Sequence, residues 1–187
     1  HAIAINGTLM QTFAATDGEE SSNFAQQLEQ VARLVAARGV LQSRRDVFFV
    51  NIGGFDTHSD ATSILAAKMA DINSGLESFV EEMKLQGVWD GTTVVTASDF
   101  GRTLTSNGQG TDHAWGGNVI LAGGSLAGGK IFGSYPDDLT EDGAQNIGRG
   151  RLIPTTPWEH LWYPVAKWFG VLDENMHHVL PNLSNFP

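Results

Sequence analysis

The sequence predicts an α/β fold, a mostly parallel sheet flanked by helices, from three observations. Residues 47–52, Val-Phe-Phe-Val-Asn-Ile, form a nearly continuous apolar run of the kind found in strands buried on both faces. Residues 92–97, Thr-Thr-Val-Val-Thr-Ala, form a second, β-branched run. Between them, Leu65, Met69, Ile72, Leu76, Phe79, Val80 and Met83 recur at steps of three and four, the stripe of a helix lying on a sheet. Strand, long helix and strand make a βαβ unit with a right-handed crossover.

The remaining elements are taken in chain order. Residues 2–9 suit a short strand and 15–22 a polar, acidic link. From Ser21 the pattern turns helical, with Phe24, Leu28, Val31, Leu34 and Val35 on one face. Ser21 or Ser22 is the N-cap candidate and Gly39 the stop. The long helix is expected over residues 62–86, closed by Gly87. A third apolar run spans 118–122, and Gly123-Gly124 and Gly128-Gly129 read as turns because they lack the spacing of a nucleotide-binding loop. Residues 137–142 are an acidic loop, and 147–153 return as an extended segment. Pro157 opens a last helix whose Trp158, Trp162 and Trp168 read as core packing, with Gly170 past its end. Residues 180–187 read as a non-regular tail.

Composition narrows the function classes. The 187 residues amount to one domain or most of one, with 41% hydrophobic and 17% charged residues. Eleven Lys and Arg against 21 Asp and Glu give a formal charge of −10, a poor match to nucleic acid or an anionic membrane. The absence of cysteine excludes disulfides and thiolate metal sites. No apolar run is long enough to span a bilayer.

The chemistry gathers where the predicted strands end, the usual place for a site in an open α/β sheet. The first strand runs into Gly53-Gly54-Phe55-Asp56-Thr57-His58. Asp56 and His58 alternate across Thr57, so both can face one cation, and oxygen with imidazole nitrogen suits zinc, manganese or iron better than calcium. The plainer reading is that Asp56 caps the next helix or loop and His58 is polar surface. The second strand delivers Ser98-Asp99-Phe100-Gly101-Arg102-Thr103. Asp99 is a metal-ligand candidate, or else a cap or an ion-pair partner of Arg102. Arg102 itself can grip a phosphate or sulfate group bidentately. Asp112 and His113, in a glycine-bounded turn before the third run, complete the candidate set. His177-His178 reads as surface loop.

Taken together, residues 53–58, 98–103, 107–108 and 110–117, with Gly-Arg-Gly-Arg-Leu-Ile-Pro-Thr-Thr at 148–156 and Pro-Asn-Leu-Ser-Asn-Phe at 181–186, resemble the domain of unknown function 1501 family. The resemblance runs from about Phe24 onward. That family is similar to the alkaline phosphatase and sulfatase superfamily, whose α/β sandwich carries divalent metals at the strand ends. The resemblance implies Asp56, His58 and His113 as ligands of one metal and Asp99 as a ligand of a second. Phe100 stands where the superfamily has a second-site histidine, and the spacing of Asp56 and His58 is tighter than usual there, so one ion, or none, is expected. It also implies that the nucleophile and a further metal-binding aspartate precede His1, in a missing N-terminal portion or a partner chain.

The expectation is therefore a single α/β domain over 1–187, the C-terminal part of an alkaline-phosphatase-like sandwich, from a metal-dependent hydrolase of phosphate or sulfate esters. Zinc is the first choice of cofactor, with manganese, iron or calcium behind it. Arg102 would offset charge developing on a small anionic substrate. The rival expectation is a non-catalytic binding or assembly protein that keeps the fold with a degenerate metal site. The family resemblance leans towards an extracytoplasmic location.

Overall fold

The structure, a computed structural model, describes residues 22–186. The strand expected at 2–9, most of the link at 15–22, and Ser21 lie outside the described residues. The chain divides into two compact units. Among the described residues, the first comprises 22–97, Ser106–Asp112 and Val119–Gly128, and the second Ser98–Thr105, His113–Asn118 and the residues after Gly128.

The first unit is organised by two helices. Helix α1, Asn23–Ala36, starts where the Ser22 side chain accepts the Ala25 N–H, satisfying a donor the helix itself cannot pair. A short helix α2, Arg38–Leu41, comes directly after it, so Gly39 lies inside a helix rather than ending one. Helix α3, Ala61–Leu85, is the long helix in nearly the expected place. Phe24, Leu28 and Ala32 of α1 meet Phe79 and Met83 of α3 in the core cluster. Gly75 makes the close approach possible: a Cβ there would lie 2.9 Å from the Phe24 ring.

That packing corrects the expectation that α3 lies along a sheet. Its buried residues are Gly75, Ser78, Phe79, Glu82 and Met83, all in its second half. Ile72 and Leu76 are half-buried, and Met69 is 52% exposed. The helix spends its buried face on α1, and Met69, well before Phe79, is left half in solvent.

The strand expected at 47–52 is not formed. The segment is non-regular, with Val47 82% and Phe49 88% exposed. A strand needs a partner for its N–H and C=O groups, and no described residue supplies a ladder there. Its best-held point is Asn51, whose N–H and C=O are both engaged by the carboxamide of Gln27.

Among the described residues there is therefore no βαβ unit, and the expected mostly parallel sheet gives way to two small two-stranded sheets. Strand β1, Thr93–Val95, pairs antiparallel with β4, Leu121–Gly123, in the register Thr93 to Gly123, Val94 to Ala122 and Val95 to Leu121. Strands β2, Gly101–Ser106, and β3, Thr111–Ala114, form the other. Only four residues join β2 to β3, which permits a hairpin but not a parallel crossover. The class is still mixed α/β.

The second unit holds helix α4, Trp158–Phe169, and the short α5, Met176–Val179. Pro157 takes the N-cap position and Gly170 closes α4 in the left-handed region at φ 102°. The tryptophans are not core: Trp158 and Trp168 are each 46% exposed, and Ala166 is the buried residue of the helix. Trp158 and Trp162 stack on each other instead, at 6.4 Å between centroids. The extended return at 147–153 is reduced to one bridge, Asn146 with Leu152. The tail carries a 3-10 turn, Leu183–Asn185. No described helix is long and apolar enough to cross a membrane.

Candidate metal centre and oxyanion contacts

In the first unit, the segment leaving Gly53 is fixed by the one residue that turns inward. Thr57 is 2% exposed, and its carbonyl accepts the Thr111 N–H at 3.2 Å. Its neighbours on either side are thereby left facing out, as alternation requires. His58 Nε2 lies 3.0 Å from Asp56 Oδ1, and His58 Nδ1 lies 3.4 Å from Asp112 Oδ1. Each ring nitrogen thus faces a carboxylate. Asp56 is not the helix cap: the N-cap position of α3 is Asp60.

The turn between β2 and β3 locks this arrangement. The Asn107 carboxamide donates to the His58 carbonyl at 3.2 Å and to Asp112 Oδ1 at 3.3 Å. Its oxygen accepts the N–H groups of Gln109 and Gly110 at 3.1 and 2.8 Å. One side chain therefore ties the turn to the segment carrying His58. Gly110 is required for its lack of a side chain, since a Cβ would lie 2.3 Å from the Thr57 oxygen. From sequence Asn107-Gly108 carries only the family resemblance, and the tie made by Asn107 needed coordinates.

In the second unit, Asp99 sits exposed at the bend before β2. Phe100 lies flat on the imidazole of His113, with centroids 3.9 Å apart and planes 8° from parallel. The Arg102 guanidinium stands 5.6 Å from the same phenyl ring. Gly101 starts β2 where a Cβ would come 2.2 Å from the Gly116 carbonyl oxygen. Phe100 is therefore a packing surface for an imidazole and a guanidinium, and offers no lone pair to a cation.

Asp56 and His58 are both exposed, each with one ligand atom to give, while His113, exposed as well, belongs to the second unit. One oxygen and one imidazole nitrogen suit a borderline divalent ion and leave coordination positions open. The 3.0 Å between Asp56 Oδ1 and His58 Nε2 also fits, because two ligand atoms at about 2.0–2.1 Å from one ion sit about 3 Å apart.

The second unit contains another group of convergent donors that the sequence did not announce. The Glu141 carboxylate accepts from the Thr105 hydroxyl, and its Oε2 accepts the Arg149 N–H at 3.0 Å. These bonds, the Thr105 hydroxyl first, hold the Glu141 carboxyl below the usual glutamate range. At the end of α4, Lys167 lies 2.8 Å from Asp173, which also accepts the Tyr163 hydroxyl. The Lys167 and Tyr163 values rise and that of Asp173 falls, each chiefly through these hydrogen bonds.

A family profile described as "Protein of unknown function (DUF1501)" matches residues 5–149. No curated protein and no solved structure matches the chain.

Proposed function

The chain belongs to the DUF1501 family, and from that premise we propose that it is part of a metal-dependent hydrolase of phosphate or sulfate esters. The observation that carries the reading is His58, with a carboxylate on each ring nitrogen at 3.0 and 3.4 Å. Imidazoles that bind metal commonly donate their other N–H to a carboxylate, which fixes the tautomer and raises ligand basicity. In this assignment Asp112 holds Nδ1–H, and Nε2 faces the cation beside Asp56. Asp112, a direct ligand candidate from sequence, becomes the group that orients one. The family resemblance names His113 as a third ligand, and within the second unit its ring plane is set by Phe100.

A bound divalent ion would supply Lewis acidity towards an ester oxygen. The protein's own residues would bind and orient. Arg102 presents a guanidinium that matches a phosphate or sulfate group in shape and charge. Asp99 is assigned to its neighbourhood as an acceptor for Arg102 or water, because Phe100 removes the partner a second ion would need. The family's resemblance to alkaline phosphatases and sulfatases supports the reaction class, and membership of the family supports an extracytoplasmic setting. It also implies a nucleophile outside these residues.

The same Phe100 stack supports the second reading, a binding or assembly protein that keeps one weakened metal site. Metal analysis and ester hydrolysis separate the two. Metal content of the intact native protein after dialysis should be about one zinc, manganese or iron per chain, falling by at least tenfold in affinity in His58→Ala. Chelator-sensitive hydrolysis of an aryl phosphate or sulfate by that protein supports the hydrolase, and bound metal without turnover supports the alternative. No metal bound between pH 6 and 9 overturns the hydrolase and leaves the non-catalytic reading. Gly110→Ala, which alters no ligand side chain but drives a Cβ into the Thr57 and His58 carbonyls, should also weaken metal binding tenfold or more, with the α1–α3 core intact.

A further inference from the structure

Residues Gly148, Arg149 and Gly150 all have positive φ, at 97°, 58° and 67°. For an arginine the left-handed region costs about 1–2 kcal/mol, so the turn is held in shape by its surroundings. The holding contacts are specific. The Gly150 carbonyl accepts the Leu104 N–H at 3.0 Å, and a Cβ on Gly150 would lie 2.5 Å from the Thr105 nitrogen. The Asn146 side-chain oxygen accepts the Gly148 N–H at 2.9 Å.

Successive peptide units in such a turn aim their N–H groups into one concavity, a small anion-binding nest. Here the Arg149 N–H donates to Glu141 Oε2 at 3.0 Å, and the neighbouring Gly150 N–H also favours the ionised Glu141 carboxyl. The Thr105 hydroxyl and the Asn146 carboxamide, the latter at 3.4 Å, complete the set. Three neutral hydrogen-bond donors, the Arg149 N–H, the Thr105 hydroxyl and the Asn146 carboxamide, thus converge on one oxyanion. Arg149 and Arg151 put two formal positive charges in this stretch of a chain whose net charge is −10.

We propose that the turn 148–150 is an oxyanion-binding site for a phosphate or sulfate group, and that the Glu141 side chain fills it as an internal stand-in. Glu141 suits that part. It is exposed, and its stretch of chain is held by turn contacts: Asp138 accepts the Thr140 N–H, and the Asn146 carboxamide donates to the Thr140 carbonyl. The side chain can swing out while the turn stays clamped to β2. An incoming oxyanion would take over the two backbone N–H groups and the Thr105 hydroxyl, with Arg149 balancing its charge. Nothing in this site depends on the metal ligands.

The test is amide-resolved NMR titration of the full chain with inorganic phosphate, then sulfate, with chelator present so that metal binding has no bearing. In Glu141→Ala the Arg149 and Gly150 amides should shift saturably, at least tenfold tighter than in wild type, and sulfate should compete. Protection of the Leu104 amide reports whether the turn is intact. A protected Leu104 with no saturable shift overturns the proposal and leaves Glu141 as a loop anchor. If Glu141→Ala loses the turn, Glu141→Gln decides: it keeps the length and removes the charge, and phosphate binding no tighter than wild type overturns the proposal.

Discussion

Helix α3 and residues 47–52 both carry a strong apolar signal, yet one builds the core of the first unit and the other leaves Val47 and Phe49 in solvent, with only Val50 and Ile52 packed partly against that core. Met83 is fully buried and Phe79 is 4% exposed, whereas Phe49 is 88% exposed. The difference lies in what each kind of segment needs. A helix satisfies its own backbone and requires one neighbour for one stripe, which α1 provides. An apolar extended run needs hydrogen-bonding partners at its edges and cover on its faces. Burial is thus decided by the availability of a complementary surface, and hydrophobicity only makes burial worth having.

The sharpest way to break the comparison is at Met83. Replacing it by Ala should cost about 2–5 kcal/mol, the range for a large buried side chain in a core that relaxes only partly. Denaturant unfolding with unchanged slope reads this directly. A loss below about 1 kcal/mol would mean that the α1–α3 contact is not what holds the first unit together.

Gly75→Ala probes the same contact from the other side and should cost less. In an exposed helix, alanine would gain about 1 kcal/mol over glycine. Here its Cβ would meet the Phe24 ring at 2.9 and 3.0 Å and Leu28 Cδ1 at 3.3 Å. Overpacking of this kind costs about 1–3 kcal/mol, so a net loss of about 1 kcal/mol is expected. Net stabilisation in thermal unfolding would show that the helices can separate freely.

The same physics explains how much was legible. Signals that are local came through: the Ser22 cap, the span of α3, the Gly170 stop, and the outward placement of Asp56 and His58 about Thr57. Signals that depend on distant partners did not. The run 47–52 describes what a buried strand would look like but cannot say what lies beside it. Met69 and the tryptophans of α4 have the right spacing, but spacing does not reveal where a neighbouring surface ends. At the site, Asp112 and His113 were found as neighbours in sequence, while their separate employments required coordinates: Asp112 on His58, and His113 under Phe100. Glu141 and Gly150 are far enough apart in sequence, with no periodicity between them, that nothing pairs them. The only available hint was the Gly-Arg-Gly spelling of a turn that needs positive φ.

The smallest expected effect falls on the exposed run, where it sharpens the contrast most. Phe49→Ser removes a phenyl ring that is almost wholly in water, so the folded first unit loses almost no buried apolar area. Stability should change by no more than about 0.5 kcal/mol, the usual range for surface positions. The same substitution inside a two-sided buried strand would cost several kcal/mol, because a large cavity and an unpaired hydroxyl would both result. Running Phe49→Ser beside Phe79→Ser in one denaturant series therefore compares two phenylalanines that differ only in their surroundings. A large loss at both positions would show that residues 47–52 are covered in solution, and the contrast between the two regions would then collapse.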